Sequence, residues 1–586
     1  REWDDYQFLC RSITSYLLFF GIFTFVIYRA IKICNKRKLV VGILASAVLS
    51  VTLVFGKSLY LNDHIAFWPF LSLLKLLAAI GSLLFIFTSL FIIVFHYLPK
   101  TQEFLLRLRI EKTSETFFKP NIKFFLIIWA IIMVCWLPTF LASYPGVYNY
   151  DAPWQIGQLM IDGQLNAHHP ILHTLYLYGT VMLGNLVFGS YSAGLAIYSV
   201  TQMLMLSAVF AYTCYYLTKL KAPVVITLLS IIYFALVPIH AIFSVSTTKD
   251  VLFSAIVLLV VLFVIDMVRQ KEKFYHSIFL MARFVIAICF MMFLRNNGFY
   301  MLLLLVPFFI WFSKKYWIKA VILCVICIAA NFLYTGPLYS VANVQKGDTR
   351  EALSIPIQQV ARAVRDNNGE LTEEELSAVY ELFDLEDVGQ AYTPRISDPV
   401  KNYFDTENFK SDMGKYISMY FSIGFKKPQA YIDAFLSANI GSWYPDMNYP
   451  DPLAYQPYIA WECFEPANKN LLYISRQSLF PALDKAYESF TANASHQKIP
   501  VISMLFSPGF SFWCLIIFGA ICIYYKKYRY LLPIVILFAL WITIILSPVS
   551  LLRYSYPIMI CIPILSGIVF TLSENHKDIK KELGKE

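Results

Sequence analysis

The feature that most constrains this chain is a series of long apolar runs separated by short polar segments. An α-helix needs about 20 consecutive apolar residues to cross the hydrocarbon core of a bilayer. Because lipid offers no hydrogen bonds to the backbone, such runs predict membrane-spanning helices. We expect about thirteen crossings, at residues 13–33, 39–55, 71–97, 124–142, 193–217, 224–243, 251–268, 278–294, 300–312, 320–338, 502–524, 531–546 and 556–572.

The composition agrees with a chain embedded in lipid. Of its 586 residues, 58% are hydrophobic and only 15% are charged, and the mean hydropathy is +0.59. The formal net charge of +10 could indicate nucleic-acid binding, but Lys and Arg cluster in short segments between apolar runs. The positive-inside rule produces this distribution, so the charge reports topology. The predicted partner is a lipid bilayer, with no nucleic acid.

The basic segments also orient the helices. They all fall on the cytoplasmic side only if the apolar run at 171–189 does not cross the membrane. We therefore expect this run to lie in the outer interface as an amphipathic helix, with His173, Thr174, Tyr176 and Tyr178 on its wet side. The basic segments are 32–38, 100–123, 269–273, 314–315, 526–529 and the tail 577–586.

The predicted fold class is an all-α, polytopic membrane protein with a mainly helical extracytoplasmic domain. Soluble-type composition begins near residue 339, with helix signals at Thr372-Glu-Glu-Glu375 and at Pro428. The chain divides into N-terminal helices with a basic loop (1–123), a transmembrane core (124–338, with its first outer loop at 143–190), a soluble domain (339–500) and C-terminal helices with a tail (501–586).

Four connections predicted on the outer face carry unusual polar residues. Cations are depleted on that face, so a Lys or Arg at a span edge there suggests a bound anion. Asp151 and Asp250 could instead neutralise these cations internally. The four connections contain Asp151 with His168 and His169, Lys249 with Asp250, Arg295, and Arg553 with Tyr554.

This arrangement resembles the GT-C superfamily of integral-membrane glycosyltransferases, which includes protein O-mannosyltransferases and the aminoarabinose transferase of lipid A. The resemblance rests on an acidic residue in the first long outer loop, a following His-Pro element, Lys249-Asp250 at the head of a span, and the late Arg553-Tyr-Ser-Tyr-Pro557. It covers residues 124–557 in layout. The chain departs from the mannosyltransferase Asp-Glu pair, since Ala152 follows Asp151, and three spans precede the usual start.

The resemblance implies a polyprenyl-phosphate-linked sugar as donor and Asp151 as the residue that serves the acceptor. The chain also resembles multispan proteins of Gram-positive bacteria whose genes often lie with those for wall polysaccharide or teichoic acid. We therefore expect a plasma-membrane glycosyltransferase that glycosylates an envelope glycan or polymer on the outer face. The rival functions are a transporter or flippase of a lipid-linked saccharide, and an envelope glycan polymerase or ligase.

We assign Asp151 as the catalytic residue; the alternative is a carboxylate that stabilises a turn. The predicted donor-phosphate ligands are Arg295, Arg553, Lys249 and His169. The predicted substrate-binding residues are His168, Gln155, Gln158, Asp250 and Tyr554. Lys249 with Asp250 could be a local ion pair, His169-Pro170 a helix-entry turn, and Tyr554 an interfacial anchor.

The last sequence-based predictions concern cofactors and the signs of a transporter. A divalent metal is possible but not predicted, because no motif has metal-ligand spacing. The donor itself is the only cofactor-like molecule expected. A transporter should show internal repeats, or broken helices with polar residues at the midplane, and neither is evident in the sequence.

Overall fold

A computed structural model describes residues 13–107, 118–149, 151–447, 459–463, 465–466, 468–499 and 501–571. The basic tail 577–586 expected on the cytoplasmic side lies outside this range, as do residues 1–12 and part of the 100–123 loop. The helices up to residue 333 are α1 (Ile13–Ile33), α2 (Lys36–Asn62), α3 (Phe70–Arg107), α4 (Ile122–Ser143), α5 (Ala152–Met160), α6 (Ile171–Phe188), α7 (Tyr191–Lys219), α8 (Val224–Leu236), α9 (Pro238–Ser244), α10 (Lys249–Arg269), α11 (Lys271–His276), α12 (Ile278–Leu294), α13 (Asn297–Ser313) and α14 (Trp317–Leu333).

The remaining helices follow a π turn at Tyr334–Leu338. They are α15 (Tyr339–Val341), α16 (Ser354–Arg365), α17 (Glu373–Tyr380), α18 (Val388–Ala391), α19 (Asp398–Lys401), α20 (Thr406–Ser411), α21 (Met413–Lys426), α22 (Pro428–Ala438), α23 (Pro481–Ala492), α24 (Pro508–Tyr524), α25 (Leu531–Ile545) and α26 (Leu552–Val569). Short 3₁₀ turns occupy Lys314–Tyr316, Thr349–Leu353, Ile440–Ser442, Ser495–Gln497, Ile502–Phe506 and Tyr528–Tyr530.

The prediction of an all-helical, multi-pass membrane protein is confirmed. About ten helices of the described chain are long and apolar enough to cross a bilayer. Their outward faces carry exposed Leu, Ile and Phe, as lipid-facing surfaces do, whereas α10 and α26 are buried along most of their length. These two helices form the centre of the bundle, and their buried side chains belong to its largest apolar core.

The two ends of α10 show how the chain reaches and leaves the candidate site. At its first residue, Lys249 pairs with Asp151, just before α5. Near its last turn, Asp266 pairs with Lys219, the last residue of α7. The chain from Asp151 to Lys219 therefore starts at one end of α10 and finishes at the other, ~31 Å away. It contains two long helices, α6 and α7, but two full crossings would have returned it to the end where it started. Gly189 and Ser190 join those two helices.

Basic segments gather at the end of α10 that is remote from Asp151, which we call the basic end. There Lys219 and Arg283 both pair with Asp266, and Lys271 donates to the carbonyl of Phe312. Two further hydrogen bonds attach α2 and α3 to the same end. They are Arg37 Nη2 to the carbonyl of Ile523, at 2.7 Å, and Gln102 Nε2 to that of Val569, at 2.6 Å.

A broken helix interrupts the apolar bundle between α8 and α9, which meet at 51°. Pro238 opens α9, and proline cannot donate the backbone hydrogen bond that would continue α8. The sequence did not lead us to predict a broken helix, although Pro238 and His240 within the run at 224–243 were signals of one. Buried His240 lies just past the break, and its Nδ1 is 2.8 Å from the hydroxyl of Tyr556.

A second group of helices, α16 to α22 (residues 354–438), packs around α16 with an apolar core of its own; we call it the helical cap. Thr372 and Glu375 form the capping box expected at the start of α17, and Pro428 opens α22 as expected. The cap contacts the site end of the bundle. Buried Arg362 bonds the backbone and carboxylate of Asp63, which caps the end of α2.

Candidate functional site

Five charged side chains from four separate connections meet at the end of the bundle opposite the basic end. Helix starts and ends place them, because the chain turns there between apolar helices. Asp151 precedes α5, Lys249 and Asp250 open α10, Arg295 follows α12, and Arg553 lies on the first turn of α26. That helix begins before residue 556, where the apolar run predicted its start, so Arg553 and Tyr554 are helical.

A short backbone pairing holds Asp151 beside Lys249. The amide of Val147 donates to the carbonyl of Val245, and the amide of Thr247 donates back to the carbonyl of Val147, at 2.9 and 3.1 Å. Gly146 precedes this pairing with a φ of +151°, which other residues rarely adopt, and it lets the loop pack closely on α7, because a Cβ there would lie 2.2 Å from Ser199 Oγ. The two connections are thus joined before any side-chain contact is counted.

Asp151 and Lys249 form the most accessible part of the cluster. Lys249 Nζ lies 2.5 Å from Asp151 Oδ2, and the Asp151 side chain is 27% exposed. His169 Nδ1 lies 3.8 Å from the same oxygen. A carboxylate that is paired yet partly exposed can still receive a hydrogen bond from an incoming hydroxyl.

These neighbours set the protonation states of Asp151 and His169. Burial favours the neutral acid at Asp151, but Lys249, Arg553 and His169 outweigh it and hold the pKa of this carboxyl well below its ordinary value. Burial, followed by the charge of Lys249, lowers the pKa of His169 to about 3. At neutral pH Asp151 is therefore ionised and His169 is neutral.

Asp250 forms the buried half of the cluster. Its side chain is 1% exposed and accepts from Arg295, while Arg553 Nε lies 3.4 Å from its other oxygen. The Thr248 hydroxyl donates to that second oxygen at 3.0 Å, and the N-terminus of α10 favours the negative charge. Arg295 and Arg553 thus converge on one anion, and in this structure that anion is Asp250.

The charges of the cluster do not cancel. Three cations, Lys249, Arg295 and Arg553, face two carboxylates, Asp151 and Asp250, which leaves 3 − 2 = +1 among these five groups. Neutral His169 adds nothing to this sum. One further anionic group would therefore balance the cluster.

The ring of Tyr554 lies between the two arginines. The guanidinium carbon of Arg295 is 4.2 Å from the ring centroid and that of Arg553 is 5.3 Å from it. Stacking on an aromatic face restricts a guanidinium without using its N–H donors. Tyr554 therefore orients both arginines. This role was not predicted from the sequence, which suggested substrate binding for Tyr554.

The structure places the remaining predicted residues around this cluster rather than in it. Gln155 accepts from the His173 ring at 2.7 Å and from the Thr174 hydroxyl at 3.2 Å. Gln158 accepts from the amide of Asn166, closing the loop that carries the histidines. His168 is exposed, and its ring packs edge-on against that of buried His169.

His173 and Thr174 are buried, so they do not lie on the wet side of α6. The other ring nitrogen of His173 is 2.9 Å from the hydroxyl of Tyr198, which also bonds Gln202. Gln202 in turn donates to the carbonyls of residues 243, 244 and 246, behind the site. This buried network was not foreseen, although a Gln inside the apolar run 193–217 was a signal of it.

Asp151, Asp250 and His169 have donor atoms suited to a divalent cation. Among the described residues, however, no group of three His, Cys, Asp or Glu side chains is arranged to hold a metal ion. A divalent metal thus stays possible but is not predicted.

Comparison with known protein families gives a match. No curated protein and no solved structure matches this chain. A family model described as "Family of unknown function (DUF6020)" matches residues 160–583. The matched range begins just after Asp151 and includes His169, Lys249, Asp250, Arg295 and Arg553. Because the match covers well over half of the 586 residues, the chain belongs to the DUF6020 family.

Proposed function

We propose that this protein is a membrane glycosyltransferase that transfers a sugar from a polyprenyl-phosphate donor to an envelope glycan or polymer. The observation that carries the proposal is the cluster itself: an accessible carboxylate, Asp151, adjoins cations whose charge exceeds that of their carboxylate partners by one. A lipid-linked sugar phosphate would supply the missing anion. The likeness in layout to GT-C enzymes motivates the choice of donor.

The distribution of basic residues supports an outer-face site. Lys and Arg of short loops collect on the cytoplasmic side of membrane proteins, so the basic end is cytoplasmic and Asp151 and the helical cap are extracytoplasmic. The single net passage between Asp151 and Lys219 agrees with α6 lying in the outer interface. With that placement the chain makes about thirteen crossings of the plasma membrane.

The reaction follows from the charges. The acceptor oxygen forms a bond to the anomeric carbon of the sugar, and the bond from that carbon to the phosphate oxygen breaks, with its electron pair leaving on the phosphate. Arg295, Arg553 and Lys249 stabilise the negative charge that develops there. The acceptor proton passes to Asp151 or to the released phosphate.

The Lys249–Asp151 contact gives this reaction an order. While Lys249 neighbours it, Asp151 is a weak base, because its pKa is held well below the ordinary value. When Lys249 turns to a donor phosphate, the pKa of Asp151 rises and the carboxylate accepts a proton more readily. Donor binding would therefore prepare Asp151 for the acceptor.

Transfer by the purified protein tests this proposal. The protein in lipid nanodiscs is incubated with a labelled polyprenyl-phosphate sugar and membrane-extracted acceptor. We expect Asp151→Asn to lower transfer at least about 100-fold, and Asp162→Asn, at an exposed Asp of the same loop, to leave transfer unchanged. Equal transfer by wild type and Asp151→Asn would refute the assignment of Asp151.

One observation favours a second function, the movement of a lipid-linked saccharide across the membrane. Transporters use broken helices at their binding sites, and α8 and α9 form such a break beside buried His240. Movement of saccharide across liposomes without any new glycosidic bond would support this function over transfer. A glycan polymerase or ligase would instead yield products that grow by more than one unit.

A further inference from the structure

Helix α21 of the helical cap has a buried face and a polar face. Tyr416, Met419 and Ile423 point into the apolar core of the cap. A second face carries Lys415 and Lys426, which pair with Glu381 and Glu375. These two faces account for a helix at the surface of a water-soluble domain.

The third face of α21 is apolar and exposed. It consists of residues spaced four apart, which lie in line along one side of a helix. At the last of them, Phe425, 84% of the side chain is exposed, and the other members are also exposed. We call this line the α21 stripe: Met413, Ile417, Phe421 and Phe425.

The C-terminal end of α21 lies near the connection between α2 and α3. After Lys427 the chain enters α22, where Gln429 Nε2 donates to the carbonyl of Ile65 at 3.0 Å and the amide of Ile65 donates to Asp433 at 3.1 Å. Ile65 belongs to the connection between α2 and α3, at the site end of both helices. Ile432, on α22 between the two contacts, is also exposed.

The α2–α3 connection has the residues of a membrane edge. Trp68 is 80% exposed, and Leu61, Phe70 and Leu71 beside it are exposed as well. Trp side chains concentrate at the level of lipid headgroups. Since α22 contacts this connection directly, α21, whose last residue Lys426 lies two residues before α22, ends close to the height of the membrane surface.

Water is an unfavourable environment for four large apolar side chains in line, and contiguous patches of this kind mark interaction sites. An amphipathic helix in the membrane interface has this pattern, with its apolar face in the acyl boundary and its Lys residues toward the headgroups.

We propose that α21 is a membrane-docking helix that lies in the outer interface of the bilayer with the α21 stripe in contact with lipid. Docking fixes the helical cap against the membrane surface beside the site. The proposal does not depend on the chemistry at Asp151.

Photo-crosslinking tests it in the full-length protein. A photoreactive amino acid is placed at position 417, 421 or 425, the protein is reconstituted in nanodiscs, and lipid adducts are counted by mass spectrometry. Matched controls carry it at Lys415, on the polar face of the same helix, and at Tyr403, exposed elsewhere in the cap. We expect at least ten times more lipid adduct at 421 than at either control.

Two results would overturn the proposal. Lipid adducts at 421 no more frequent than at 415 would place the stripe in water, and crosslinks mainly to a second protein chain would make it a protein interface. A second measurement avoids the photoreactive group. The variant Phe421→Ser with Phe425→Ser should speed amide hydrogen exchange of α21 several-fold in nanodiscs, and unchanged exchange would count against docking.

Discussion

The buried carboxylate of Asp250 provides the sharpest prediction about what holds the site together. We consider Asp250→Asn, which nearly keeps the shape of the side chain but removes its charge. It also replaces one of the two oxygens that accept from Arg295 and Thr248 by an NH2 donor. The negative charge is what Arg295 and Arg553 share, so the variant leaves both arginines without their common anion.

The magnitude follows from burial. Asp250 is 1% exposed, and both arginine side chains are nearly as well buried, so water cannot replace the lost carboxylate. Removing one partner of a buried ion pair costs about 3–5 kcal/mol, because an uncompensated charge is left behind. That loss is a large part of the roughly 5–15 kcal/mol that stabilises a typical domain.

The assay is a titration with a denaturing detergent, in which unfolding exposes buried thiols to a fluorescent reagent. Cys214 and Cys561 are free and buried, so they report unfolding of the bundle. Glu272→Gln is the matched control, because Glu272 pairs with Lys315 at 2.7 Å while both side chains stay largely exposed. Exposed pairs contribute little, so this control should unfold as the wild type does.

A double variant separates charge from shape. Arg295→Met alone leaves Asp250 with Arg553, and combining it with Asp250→Asn removes both members of the closest pair. We expect the double variant to lose less than the sum of the two single losses, because Asp250→Asn strands Arg295 and the double variant no longer contains that buried charge. If Asp250→Asn were as stable as Glu272→Gln, the reasoning about the buried cluster would be wrong.

Two further predictions use the same titration. The pKa of His169 is lowered from 6.5 to about 3 by burial, then by Lys249, so below pH 6.5 the unfolded chain binds more protons than the folded one and stability falls on acidification. His169→Gln should make this slope shallower between pH 6.5 and 4.5, before Asp151 titrates, while the other buried histidines keep the rest of it. An unchanged slope would contradict this prediction. Gly184→Ala should lower the free energy of unfolding by about 1–3 kcal/mol, since its Cβ would lie 2.0 Å from the amide nitrogen of Gly194. Gly179→Ala is the control and should not destabilise the protein, because a Cβ there would have nothing within 4 Å. Equal stability of the two variants would refute the packing argument.

The membrane-spanning helices were predictable because their signal is local. A run of about 20 apolar residues has few alternatives to a transmembrane helix, and α1, α4, α7 and α10 lie where such runs predict them. Boundaries were less certain where polar and apolar residues mix. Thus the run expected to span from 502 begins with a 3₁₀ turn, and α24 starts at Pro508.

The candidate site was predictable as a set of loops but not as a set of contacts. Loop charge placed Asp151, Lys249, Asp250, Arg295 and Arg553 together at one end of the bundle. It left open whether the arginines face a ligand or a carboxylate, since Asp250 and Arg553 are distant in sequence. Side-chain pairing over such distances depends on how α10 and α26 pack.

The sequence by itself determined that the chain is an all-helical membrane protein, because hydropathy and loop charge are properties of each segment. Only the tertiary structure decided that Asp250 holds Arg295 and Arg553, that Lys249 holds Asp151, and that buried Tyr198 and Gln202 lie behind them. The physical reason is range. A helix forms from neighbours in sequence, whereas a buried charge takes the partner that folding brings within a few ångströms.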